Sequence, residues 1–233
     1  MVMKIGTKTD TGKVREQNED SYGYRDHLFV LADGMGGHQA GEIASAIAVQ
    51  TILDTQFTGK LPEDTIKEAV FKANQAILHS VEQNPAQYGM GTTIIVLYFV
   101  ENQAYYTHIG DSRLYRYSKG SFFQLTRDHT LVAELVRSGS LTEAEARNHP
   151  QRNVLTQALG AEIMPEIEVN QVLASQGDKF LLCSDGLCGL LEENQMIQEI
   201  STEDEPQAIV DRLVTLANDA GGNDNITAIL IEI

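Results

Sequence analysis

Residues 62–82 place Ile66, Ala69, Val70, Ala73, Ala76, Ile77 and Val81 at i, i+3 and i+4 spacing, a stripe that makes sense only on a helix with one buried face. A second helical pattern covers 41–56, and such helices need an apolar layer to lie on. Candidate strands supply it at 4–9 and 27–32, then at 92–100, 104–109, 114–117 and 121–125. Glu101-Asn102 and Ser118-Lys119-Gly120 separate the last four with turn chemistry, which predicts an antiparallel meander. A polar, helix-prone stretch over 128–159 reads as an insertion, after which strands resume near 166–173 and 179–183. A short helix from about 192, a longer one over 206–220 and a final strand over 226–233 complete the chain. Runs of strands and runs of helices, without strict alternation, indicate an α+β fold in which a sheet-on-sheet core is covered by helices.

Nothing in the sequence marks a linker or a repeat, and 233 residues at 42% hydrophobic content fit one domain spanning 1–233. Acidic residues number 33 against 17 basic, for a net charge of −16, the wrong sign for a nucleic-acid binder. The longest unbroken apolar run, 94–100, is far short of the roughly 20 residues of a membrane helix. With no apolar leader at the start, a cytoplasmic, membrane-free protein is expected. The two cysteines, Cys183 and Cys188, match neither a disulfide framework nor a zinc site. Six residues beyond them stand Gly189 and Asn194, so the arginine that a thiolate phosphatase needs is missing and buried thiols are expected.

Chemistry points instead to aspartates. Asp33, Asp111, Asp185 and Asp224 each end or begin an apolar run beside small residues. Any one of them reads as a turn residue. Four that converge at the rim of a hydrophobic core would repel one another, and a cation would have to compensate. The donors are all oxygen, so the implied ion is hard, Mg²⁺ or Mn²⁺. Gly34 and Gly186, directly after two of these residues, leave space for close approach of backbone or substrate.

Six segments stand in a telling order: Arg15-Glu16-Gln17-Asn18-Glu19-Asp20, Ala32-Asp33-Gly34-Met35-Gly36-Gly37-His38, Gly91-Thr92-Thr93, His108-Ile109-Gly110-Asp111-Ser112-Arg113, Ser184-Asp185-Gly186-Leu187 and Asp224-Asn225-Ile226-Thr227. With them the chain resembles, from end to end, the metal-dependent protein phosphatases of type 2C in their compact bacterial form. The resemblance implies a four-layer αββα sandwich: two antiparallel sheets flanked by antiparallel helix pairs, with a metal site between the sheets. By matching position, Asp33 would bridge two ions, the Gly34 carbonyl would bind one, and Asp185 and Asp224 would complete the other. Glu19 and Asp20 match positions that hold metal-bound waters. Asp111, with Asp185, matches the site of a weaker third ion.

The activity so implied is hydrolysis of phosphoserine and phosphothreonine by a water bridging the two ions, without a phosphoenzyme. Arg15 offers a planar fork for phosphate oxygens. His38, four residues after Gly34, is the candidate proton donor to the leaving group; the chain departs from many eukaryotic relatives at Met35, where they have histidine. The 128–159 insertion corresponds to the family's flap, and Arg137, Arg147 and Arg152 are its candidate substrate contacts. Expected partners are phosphorylated proteins, substrates of a bacterial Ser/Thr kinase, and the expected state is a monomer. A nucleotide-binding loop at 34–37 is the weaker reading, since Gln39 replaces the third glycine of the dinucleotide fingerprint and Asp33 would repel a bare phosphate. The other rival is a non-catalytic docking or sensing module with the same fold, which would require loss of metal ligands.

Overall fold

The computed structural model describes residues 2–36, 40–57, 61–161 and 165–233. The chain opens with β1 (Lys4–Asp10), β2 (Asp20–Arg25) and β3 (Leu28–Met35), followed by α1 (Gly41–Asp54) and α2 (Pro62–Gln83). Next come β4 (Gly91–Thr92), β5 (Ile94–Val100), β6 (Gln103–Ile109), β7 (Arg113–Ser118) and β8 (Ser121–Gln124), then the short helices α3 (Leu131–Arg137) and α4 (Glu143–Arg147). The last third holds β9 (Asn170–Leu173), β10 (Lys179–Cys183), α5 (Asp185–Cys188), α6 (Glu193–Ile200), α7 (Pro206–Asp219) and β11 (Ile226–Glu232).

Two antiparallel sheets form the centre. One runs β1-β11-β10-β7-β8 and the other β2-β3-β5-β6-β9, with β4 beside β3. The inner strands are buried on both faces, and alternation decides which layer each residue meets. Along β3, Phe29 and Leu31 join Phe99, Phe180, Leu182 and Ile229 between the sheets. Val30 and Ala32 face the other way, into the apolar stripes of α1 and α2. On β11, Ile229 and Ile231 point into the same inter-sheet core, while Ala228 and Leu230 pack on Ile209, Leu213 and Ala217 of α7. The result is the four-layer α+β sandwich, each sheet carrying its helices outside.

Three details depart from the pattern in the sequence. The expected four-strand meander is split: β5 and β6 pair in the second sheet, β7 and β8 in the first. The chain changes sheets at Gly110, whose φ of 100° is open to glycine alone and whose bare Cα lies against Thr93. Asp111 therefore sits at the crossing point. The strand β2 lacks a clear alternating pattern because it is an edge strand, yet its pairing sets Asp20 directly across from Asp33. Finally, the strand expected over 166–173 is confined to Asn170–Leu173. Within 128–159, Thr130 bridges to Leu155 and Thr92 to Leu159, so the segment leaves and returns at neighbouring points.

Candidate metal centre

The site grows from four chain positions at one end of the two sheets. The β2–β3 register supplies Asp20 and Asp33. On the facing sheet, β10 ends at Cys183 and α5 begins at Asp185, while Asp224 leads into β11. Gly186 is needed here because a Cβ would strike the Asn225 backbone, which lets α5 start tight against the 224–225 turn. The carboxyls of Asp33 and Asp185 act on each other across the gap between the sheets.

The electrostatics are those of crowded acids. Burial, more than any neighbour, pushes Asp20 up to about 7, against the opposing hydrogen bonds from Thr227 and Ser184, with Asp185 and Asp224 adding to the rise. Burial and then Asp185 push Asp111 up to about 7. Asp33 is held well above the usual carboxylate range by burial and by Asp20, Asp185, Asp111 and Asp224 in turn. Burial and Asp224 raise Asp185, and burial and Glu42 raise Glu19. Asp20 Oδ2 accepts from Ser184 Oγ at 2.8 Å and from Thr227 Oγ1 at 2.6 Å. In contrast, Asp20 Oδ1, Asp185 Oδ1 and Glu42 Oε2 are enclosed without a hydrogen-bond donor among the described residues. An enclosed carboxylate oxygen without a partner is costly.

Among the described residues the cation in direct contact with this group is Arg15, whose Nη2 donates to Asp224 Oδ2 at 2.8 Å. Arg113 is spent on Asp128, with Nε and Nη2 both donating at 2.7–3.1 Å. Among the described residues no three His, Cys, Asp or Glu side chains already form a metal-ready set. Orphaned oxygens, raised carboxyls and an all-oxygen donor set fit a hard divalent cation. They leave no role for a zinc-type thiolate: Cys183 and Cys188 are free and buried, and contact with Cys183, then burial, push the Cys188 thiol up.

The remaining candidates fall in different places. Asp111 and Asp185 line one part of a cleft of about 740 Å³ whose other walls include Arg127, Asp128, Arg147, Arg152 and Glu192. Arg147 is engaged rather than open, its Nη1 lying 3.1 and 3.2 Å from the two oxygens of Glu192. Arg137 is exposed and is not among the lining residues of that cleft. His38 lies outside the described residues. Ser184 and Thr227 stood inside the quoted motifs without a role, and the signal for one was a hydroxyl beside the Asp.

A family model for protein phosphatase 2C matches residues 13–230. The protein phosphatase PhpP of Streptococcus pneumoniae is 40% identical over 248 residues, covering 98% of this chain and 97% of the relative. The serine/threonine phosphatase PstP/Ppp of Mycobacterium tuberculosis superposes with a TM-score of 0.94 at 37% identity, covering 100% of this chain and 99% of that one. The catalytic domain of PstP in complex with two manganese ions gives a TM-score of 0.89 at 36% identity, covering 99% and 97%.

Proposed function

Because this chain belongs to the protein phosphatase 2C family, we propose roles for its converging acids within the activity that the family defines. The chain is a metal-dependent serine/threonine protein phosphatase, and its substrates are phosphorylated proteins. The non-catalytic reading falls away, since the relatives matched over nearly their full length are phosphatases. The observation that supports the site assignment is the set of buried acids at the sheet ends, with raised carboxyls and orphaned oxygens where cations would balance them.

In this reading Asp33, the Gly34 carbonyl, Asp185 and Asp224 would hold two ions, Mg²⁺ or Mn²⁺. Glu19 and Asp20 would hold the surrounding water, and Asp111 with Asp185 would take a weaker third ion. When bound, the ions supply a hydroxide-like nucleophile near neutral pH and neutralise charge on the phosphoryl oxygens. The protein's own residues do the rest. Ser184 and Thr227 fix the Asp20 carboxylate from one side, so only its second oxygen is free to face the site. Because Asp33 and Asp185 hold protons more tightly than ordinary carboxyls, cation binding would release protons. Arg15, resting on Asp224, is placed to turn its planar fork to phosphate oxygens. Arg137, Arg147 and Arg152 of the flap-like 128–159 segment contact the substrate protein, with Arg147 first having to leave Glu192. His38 donates a proton to the leaving oxygen. The setting is a cytoplasmic monomer that reverses a bacterial Ser/Thr kinase.

Hydrolysis is direct, because the nearby nucleophile candidates are occupied. Ser184 Oγ donates to Asp20 and is fully buried, and the Cys188 thiol is held protonated. Rapid acid quenching during turnover of ³²P-labelled phosphothreonine protein should leave no label on the enzyme. Label on the enzyme in stoichiometric amount would refute direct attack.

A further inference from the structure

We propose that His129, at the base of the flap-like 128–159 segment, is a positioning residue: its ring pins that segment to the sheet crossing at Gly110 and so fixes the stance of Asp111. The proposal rests on the reading of Asp111 as an acid of the metal site and adds a residue that acts on it through the backbone.

Gly110 is buried, and both of its backbone polar groups are met by His129. The His129 amide donates to the Gly110 carbonyl at 3.0 Å, and the Gly110 amide donates to His129 Nδ1 at 3.3 Å. A buried amide that loses its acceptor is costly, so the ring has a bond to keep as well as a space to fill. The same ring stacks on His108 of β6, with centroids 4.6 Å apart and 24° between the planes. His108 Nε2 in turn lies 2.7 Å from the Arg127 carbonyl. The return leg of the segment joins here too, since the Thr156 amide donates to the His129 carbonyl at 2.8 Å.

Asp128, the preceding residue, holds the other flank of Asp111. Its carboxylate accepts from Nε and Nη2 of Arg113 at 2.7–3.1 Å. Two neighbouring residues of the segment therefore grip positions 110 and 113, and Asp111 lies between them. Nδ1 of His129 can accept only while it carries no proton. Burial first, and then His108, push His129 down to about 4, with Arg137 adding to the fall and Asp128 and Glu134 opposing it. The acceptor is therefore kept at neutral pH.

A histidine that only fills space would respond to substitution in the reverse order. His129→Asn keeps an acceptor near the place of Nδ1 and loses the stack on His108, whereas His129→Phe keeps the stack and loses the acceptor. In the metal-free protein under chelator, amide hydrogen exchange at Gly110 should quicken at least about tenfold in His129→Phe and stay within about threefold of wild type in His129→Asn. At saturating Mn²⁺, kcat on p-nitrophenyl phosphate should fall about tenfold in His129→Phe, the scale of loss for residues that support metal ligands, and recover in His129→Asn. Exchange at Gly110 that is unchanged in His129→Phe, or as fast in His129→Asn, overturns the pin. Faster exchange in His129→Phe with wild-type kcat overturns the positioning of Asp111. Asp111→Asn separates this from the metal-site reading: should it turn over like wild type, the role given to Asp111 fails, while exchange at Gly110 still decides whether His129 is the pin.

Discussion

Asparagine at position 33 should lower kcat on a phosphothreonine peptide by more than about a hundredfold at saturating Mn²⁺. Supporting residues around a metal commonly cost 10–100-fold when changed, and Asp33 is proposed to serve two ions directly. It is also the residue on which Asp20, Asp185, Asp111 and Asp224 all act, so no neighbour substitutes for it without deepening the repulsion elsewhere. The same change should raise the melting temperature of the chelated protein at pH 8, because one of several mutually repelling carboxylates is gone. Loss of activity combined with gain of stability is the signature of a binding residue under strain. A variant within tenfold of wild-type kcat would remove Asp33 from the centre of the mechanism.

The metal-free protein should lose stability as pH rises from about 4 to about 7, the opposite of ordinary acid denaturation. Asp20 and Asp111 are pushed up to about 7 in the folded protein, whereas in the unfolded chain both titrate near 4. Below about pH 4 the carboxyls are protonated in both states and their burial carries no charge penalty. Above that, the unfolded chain binds fewer protons than the folded one, so the unfolded state gains until the folded carboxyls also ionise. For Asp20 alone a rise from 3.8 to about 7 corresponds to roughly 4 kcal/mol, and because the acids are coupled their contributions do not add. Urea denaturation in chelator across this range measures the slope, and Asp20→Asn isolates the share of that residue. Wild type should lose stability more steeply than Asp20→Asn between pH 4 and 8, and parallel curves would contradict the burial argument. Saturating Mn²⁺ should stabilise most at the alkaline end, where the carboxylates are ionised.

Much of this arrangement could be read from residue types and spacing. The stripe from Ile66 to Val81 is the buried face of α2, and the two-residue breaks at Glu101 and Lys119 are turns, with φ of 53° and 50°. Aspartates at the ends of apolar runs do come together, because strand ends of stacked sheets meet along one rim. What escaped depends on pairings between distant residues. Nothing local says that β6 and β7 belong to different sheets; the crossing at Gly110 follows from packing against Thr93. The edge strand β2 is polar and short, so its register against β3, which sets Asp20 opposite Asp33, could not be inferred. Arg147 looks available in the sequence but meets Glu192 across the cleft.

Phosphate release from a phosphothreonine peptide, followed with Mn²⁺, with Mg²⁺ and with chelator for wild type and Asp185→Asn, tests the central claim most directly. The account predicts turnover by the wild type with either ion, none with chelator, and a loss of at least about a hundredfold in Asp185→Asn that added metal does not restore. Turnover that survives chelation, or that is unaffected by Asp185→Asn, would contradict a mechanism built on cations held between the two sheets.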